Sequence, residues 1–396
     1  MSYVRLVNVT KRFGDVTAVD HLNYEIGKGE CFSMLGPSGC GKTTTLRMVA
    51  GFEDLSDGEV WVGDRLLSSP KKNHYVPPEK RNFGMVFQAF AVWPHLSVYE
   101  NVAFPLRIRK LDDKEIDQRT TDALKATNLL KAKDESPDFL SGGGKQRVAL
   151  ARALAINPDV MLLDEPLSSL DPHLREEMRF EIKDLQVKYG FSIIYVTHDQ
   201  SEAMALSDRI LVMKLGVVQQ IDTPLNIYNH PANKFVFSFI GLSNFLAARQ
   251  ADGVITLPEG GAIPKSFLLP ERLQGETNVS LASRPSEIDF TTMEDPEGLH
   301  GVVTRKAFLG EIVDYQIKIG EQFMRVQKSR RDVGSTADVG SSSTRSAGRW
   351  RIAQPSASRC FCPPERPPAS TSAFSVSCMR TSTSSVRVRR SVRVRP

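Results

Sequence analysis

The chain has 396 residues, 24% of them charged, and a formal charge of +5. That length predicts two domains, or one domain with extensions. No run of about 18 apolar residues occurs, so no membrane-spanning helix is expected. The five cysteines fall into no paired metal-ligand spacing, which argues against a disulfide scaffold and fits a reducing cytosol.

Residues 1–11 lack the apolar core of a secretory leader. The apolar stretch Cys31–Leu35 reads as a strand, and 44–50 carries a helical pattern. Between them stand Gly36-Pro37-Ser38-Gly39-Cys40-Gly41-Lys42-Thr43. A Gly-rich loop joining a strand to a helix and ending in Lys-Thr is built for a triphosphate. Gly36, Gly39 and Gly41 let the backbone close around phosphate oxygens, and the loop amides with the helix N-terminus supply a positive field. Lys42 is expected to reach the β- and γ-phosphates, and the Thr43 hydroxyl to enter a Mg²⁺ shell. Cys40, inside the loop, is expected to be open to alkylation and shielded by ATP.

Gln88 follows the strand-like Met85-Val86-Phe87. A helical region then runs from about 98 to 133, with an irregular start marked by Trp93-Pro94-His95 and Phe104-Pro105. Leu140-Ser141-Gly142-Gly143 precedes an Ala-rich amphipathic helix over 145–154. Ser141 and the amides of Gly142 and Gly143, at the start of that helix, read as an anion site. Residues 160–163 form a short apolar run, fitting a strand buried on both faces of a parallel sheet, and Asp164 and Glu165 end it. Asp164 is expected to hold Mg²⁺ and Glu165 to polarise an attacking water. His198 closes a further apolar run, 192–196.

Taken singly, several of these have plainer readings. Asp164-Glu165 fits an acidic turn, Phe13 a core aromatic, Gln88 a polar strand end and His198 a capping residue. No heptad repeat separates the nucleotide motifs.

Beyond Gly241 the character changes. The stretches 279–287 and 301–311 read as short strands with turns, and 310–320 alternates clearly. Residues 329–396 hold 16 Ser and 13 Arg against three acids, with no Leu or Lys. This tail carries +10, so residues 1–328 carry −5. A native basic tail is one reading. A tail read out of frame, or disordered, fits the composition better and would leave the preceding β-domain short of its last strands.

These motifs, in this order, resemble the nucleotide-binding subunit of an ATP-binding-cassette transporter, strongly over roughly 1–245 and more weakly over 245–327. The resemblance implies an α/β P-loop ATPase with a parallel-sheet core over 1–240 and a helical subdomain over about 89–158. It implies a small all-β, oligonucleotide-binding-like accessory domain over 241–328, followed by the irregular tail 329–396. Phe13 resembles the aromatic that stacks on adenine. Gly36 to Thr43, with Thr44, resemble the phosphate loop. Gln88 resembles the glutamine that senses the γ-phosphate, joins the metal shell and faces the membrane partner. Ser141, Gly142 and Gly143 resemble the signature that caps the γ-phosphate held by the opposite subunit's Lys42. Asp171, in Ser169-Leu170-Asp171, resembles the loop that crosses the dimer interface, and His198 the histidine on the γ-phosphate. Gly144 replaces the usual Gln of the signature, and Asp222 stands where such importers often have Gly. The implied activity is ATP hydrolysis with Mg²⁺, by a dimer of this chain or with a homologous ATPase subunit, coupled to solute import. The implied partners are two separate membrane permease subunits at the cytoplasmic face of the inner membrane and, indirectly, a solute-binding protein. No nucleic-acid partner is expected. A soluble cassette ATPase acting on ribosomes or DNA, and a regulatory scaffold, are the rival classes.

Overall fold

The computed structural model of the chain describes residues 2–251, 254–257, 277–291, 299–330, 347–352 and 361–362. It divides into two compact units, Met1–Pro231 with Phe235–Gly241, and Ala232–Lys234 with Leu242–Pro396.

The first unit opens on long antiparallel strands, β1 (Ser2–Phe13) and β2 (Val16–Gly27). Alternate residues of β2, Leu22, Tyr24 and Ile26, are buried, as a sheet with one core face requires. The register slips near Asn8 and His21, which both take positive φ (51° and 47°). Paired amides across the bulge, Asn8 N–H to Asn23 Oδ1 and Asn23 Nδ2 to Asn8 Oδ1, both 2.9 Å, hold it. After β3 (Cys31–Leu35) and α1 (Lys42–Ala50), three more strands complete this sheet: β4 (Asp57–Val62), β5 (Arg65–Ser69) and β6 (His74–Tyr75). Its order is β2-β1-β4-β5-β6.

β3 belongs to a second sheet, with β7 (Phe83–Val86), β8 (Val160–Asp164), β9 (Ser192–Thr197), β10 (Arg209–Lys214) and β11 (Val217–Asp222), in the order β11-β10-β3-β9-β8-β7. All pairs are parallel except β10–β11. Every residue of β3, β8 and β9 is buried, which is why these strands read as unbroken apolar runs rather than alternations. The register places Leu35 beside Thr197 and Asp164 beside Val196. The carboxyl ends of β3, β9, β8 and β7 therefore form one edge, where open parallel sheets bind ligands.

Between β7 and β8 lie α2 (Val98–Ile108), α3 (Asp113–Ala126) and α4 (Gly142–Ala155). They bury a common apolar seam that includes Val102, Leu106, Leu124, Val148 and Ala151. Ser97 and Glu100 form a reciprocal cap at the start of α2. The irregular lead-in is organised by buried Asn101, whose Nδ2 donates to the carbonyls of Trp93, Leu96 and Ser97. The helix expected over 145–154 starts earlier, at Gly142, because the Ser141 hydroxyl accepts from the Gly144 amide and caps it. Likewise α1 begins at Lys42 rather than 44. α5 (Pro172–Tyr189) and α6 (Gln200–Leu206) flank β9, and α7 (Pro224–Asn229) follows β11. Asp222 has a local task there: its Oδ1 accepts from the Thr223 amide at 2.7 Å and from Asn226 Nδ2 at 2.9 Å, bracing the entry to α7.

The second unit is β-rich. One sheet joins β12 (Asn244–Ala251), β13 (Val254–Thr256), β14 (Asn278–Ser283) and β20 (Phe361–Cys362). The other joins β15 (Ile288–Thr291), β16 (Leu299–Phe308), β17 (Ile312–Ile319), β18 (Gln322–Ser329) and β19 (Ala347–Ile352). The alternation read over 310–320 is β17, with Val313, Tyr315, Ile317 and Ile319 inward. Within the expected tail, the backbone of 347–352 pairs with β15 and β16, and that of 361–362 with β14. The rest of that expectation lies outside the described residues. Among the described residues no helix is long and apolar enough to cross a membrane.

Candidate active site

The loop after β3 wraps its own lysine. Lys42 is 5% exposed, and its ammonium donates to the carbonyls of Gly36 (2.7 Å) and Pro37 (3.0 Å). Gly41 takes φ +104°, and a Cβ there would stand 2.5 Å from the Ala18 carbonyl of β2, so both conformation and space demand glycine. Cys40 corrects an expectation. It is 3% exposed, its sulfur lies 3.7 Å from Lys42 Nζ, and burial pushes its thiol up despite that lysine. A buried thiol held in its neutral form is not open to alkylation.

The first turn of α1 reaches the end of β8. Thr43 Oγ1 donates to Asp164 Oδ1 at 3.1 Å. Burial pushes the Asp164 carboxyl up, opposed by the Thr43 hydrogen bond and nearby Arg47. Glu165 then leaves the sheet with φ 46°, a left-handed conformation rare for a residue with a long side chain. Its amide donates to Val196 O at 2.9 Å, and its carbonyl accepts from Ser168 Oγ at 2.9 Å. These bonds hold the strained backbone and aim the side chain at His198, whose Nδ1 stands 3.0 Å from Glu165 Oε2. Lys42, Thr43, Asp164, Glu165 and His198 thus come from three neighbouring strand ends, β3, β8 and β9.

The remaining candidates are placed apart. Gln88 lies exposed in the bend after β7, and among the described residues no hydrogen bond ties its side chain to Thr43 or Asp164. Phe13 ends β1, 49% exposed, with Lys11 Nζ 4.8 Å from its ring centre. Pro37, Ser38 and Gly39 are on the loop, all three exposed, and Thr44 is in the first turn of α1. Ser141 and Gly142 are exposed, and among the described residues no hydrogen bond or ion pair joins Ser141, Gly142 or Gly143 to Lys42 or Asp164. Asp171 caps α5, accepting from the Leu174 amide at 3.1 Å. The signature and α5 meet at Gly143, where a Cβ would stand 2.7 Å from Leu174 Cδ2.

Sequence reasoning missed the groups behind His198. Buried Glu202 accepts from Tyr195 OH (2.9 Å) and Thr197 Oγ1 (2.7 Å) through Oε2. Asp199 caps α6 through the amides of Ser201 and Glu202. The spacing of Asp199 and Glu202 is that of a helix-capping pair and was the available signal. Arg81 was missed as well. It is 2% exposed and donates to the carbonyls of Val76, Met48 and Val49 and to Ser68 Oγ, closing the C-terminal end of α1.

Comparison with known proteins gives consistent matches. A family model described as ABC transporter matches residues 19–168. The trehalose/maltose import ATP-binding protein MalK of Thermococcus litoralis is 52% identical over 262 residues, covering 65% of this chain and 70% of that protein. The Fe(3+) ions import ATP-binding protein FbpC of Fusobacterium nucleatum is 41% identical over 331 residues, covering 83% of this chain and 87% of its own. The solved structure of cbiO1 from Clostridium perfringens, part of an ABC transporter complex, matches with a TM-score of 0.53 at 30% identity, covering 57% of this chain and 91% of that one.

Proposed function

The chain belongs to the ABC transporter family as an ATP-binding subunit of the import type, and from that premise we propose how its residues divide the work. It hydrolyses ATP, and the hydrolysis drives solute import through separate permease subunits. The observation that carries the residue assignment is the convergence of Lys42, Thr43, Asp164, Glu165 and His198 on one sheet edge. In this reading the amides of 36–43 and the Lys42 ammonium bind the β- and γ-phosphates. Thr43 Oγ1 and Asp164 Oδ1, 3.1 Å apart, are paired hard oxygen donors of the kind that suits Mg²⁺. A carboxyl raised by burial is also one that a cation would return to its charged form. When bound, Mg²⁺ would neutralise charge on the phosphate oxygens. Glu165 takes the proton of the attacking water, and His198 holds the Glu165 side chain in place.

The exposed helix start at Ser141 and Gly142 serves a nucleotide held by a second subunit, so that two chains close around two ATP. Gln88, exposed after β7, signals between the nucleotide and the permease. Phe13 supplies the stacking face for the base. The protein works at the cytoplasmic face of the membrane, with a solute-binding protein delivering cargo to the permease. The two import subunits it resembles are named for different solutes, a sugar and ferric iron, so the solute is set by the permease and binding protein.

Glu165→Gln tests the base assignment. The expected outcome is ATP affinity within about twofold of wild type and turnover lowered by about a hundredfold or more. Turnover at the wild-type rate would remove Glu165 from that role.

A further inference from the structure

Arg175, on the first turn of α5, touches two loops that the nucleotide chemistry uses separately. Its Nη2 donates to the carbonyl of Leu170 at 3.0 Å, within the 169–171 loop. Its Nη1 donates to Asp199 Oδ2 at 3.4 Å, one residue beyond His198. Its Nε is buried without a hydrogen-bond partner and stands 3.8 Å from Glu202 Oε1. The Glu202 side chain is 2% exposed, and its other oxygen is already committed to Tyr195 and Thr197 of β9. A buried N–H facing a buried carboxylate oxygen just beyond bonding distance is costly to leave unmade. A displacement of about 1 Å would bring the pair to charge-assisted hydrogen-bond length. The same turn of α5 packs Leu174 against Gly143, and Leu170 Cδ2 lies 3.4 Å from where a Cβ of Gly142 would be.

We propose that Arg175 is a positioning residue that locks the 169–171 loop to the segment carrying His198, closing onto Glu202 when that loop is seated. The inference rests on the ATPase reading given above. On one side, Leu170 of the loop and Leu174 of α5 meet the signature glycines. On the other, Arg175 braces Asp199 and Glu202 behind the His198–Glu165 pair. Movement of the loop by a second subunit thereby reaches the chain's own Glu165 through one guanidinium. A lysine at this position would keep the charge but has no planar fork to span a carbonyl and two carboxylates at once.

The test compares the purified full chain with Arg175→Lys, Glu202→Gln and the double variant. Wild-type turnover in the same assay is the check on the ATPase reading, and the ratios between variants are the check on Arg175. Each single variant is expected to lower kcat about tenfold with KM for ATP within about twofold, and the double variant to fall less than about twofold further, as expected for residues acting as a unit. Hydrogen exchange gives a readout independent of turnover. ATP is expected to slow exchange of the 198–202 amides in wild type and to lose that effect in Arg175→Lys. Multiplicative losses in the double variant, a raised KM with unchanged kcat, or ATP protection of 198–202 that survives Arg175→Lys would each overturn the proposal.

Discussion

Glu165 is held at φ 46° beside a buried aspartate, a conformation the chain keeps only because Val196 and Ser168 bond both ends of its peptide. Residue by residue, the motif side chains were legible because each needs only local sequence: a strand, a Gly-rich turn, a lysine and a hydroxyl. Cys40 was misread for the opposite reason. Its place in the loop was clear, but its burial depends on packing that the motif does not encode. Glu202 was invisible as a functional group, because a glutamate in the first turn of a helix is normally solvated. In the fold, burial raises its carboxyl above the ordinary range, partly offset by the hydroxyls of Thr197 and Tyr195. The folded state therefore binds a proton more tightly than the unfolded chain. The resulting stability is present at low pH and is lost as pH rises from the unfolded glutamate value through the folded one. Thermal unfolding followed across that window is expected to show wild type losing stability with rising pH relative to Glu202→Gln. Parallel curves would contradict the burial argument.

At the scale of elements, the junction of α4 and α5 is where local rules met tertiary packing. Ser141 was read at a helix start, and its hydroxyl does cap α4. The contact that makes Gly143 small, Leu174 at 2.7 Å from a built Cβ, comes from another helix. Gly143→Ala is expected to push α4 from α5 and lower turnover by about tenfold or more, while ATP binding to Lys42 and its loop holds within about twofold. Leu174→Ala in the same chain opens that space and is expected to recover part of the loss, which steady-state ATPase assays would show. The antiparallel sheet β2-β1-β4-β5-β6 was not read from the sequence at all. Its strands are interrupted by bulges at Asn8 and His21, which break the period-2 pattern that identifies a half-buried strand.

Across the whole molecule, charge is unevenly placed. Residues 363–396 carry seven arginines and one acid, so a chain ending at Cys362 would have a net charge of −1 rather than +5. That shortened chain is expected to lose salt-sensitive retention on a heparin column and to keep wild-type ATP turnover. Equal retention of both chains would show that the arginines are not what the matrix reads. The sequence by itself determined the chemistry: a triphosphate loop, two carboxylates at a strand end, a signature turn, and the alternation that became β17. These follow from local backbone demands and from hydrophobic periodicity, both of which are written in consecutive residues. Only the tertiary structure decided that β3, β8 and β9 lie side by side, bringing Thr43 to Asp164 and His198 to Glu165. It alone buried Cys40 and set Arg175 between Leu170, Asp199 and Glu202. Such meetings depend on strand order and on long-range packing, and no stretch of neighbouring residues specifies them.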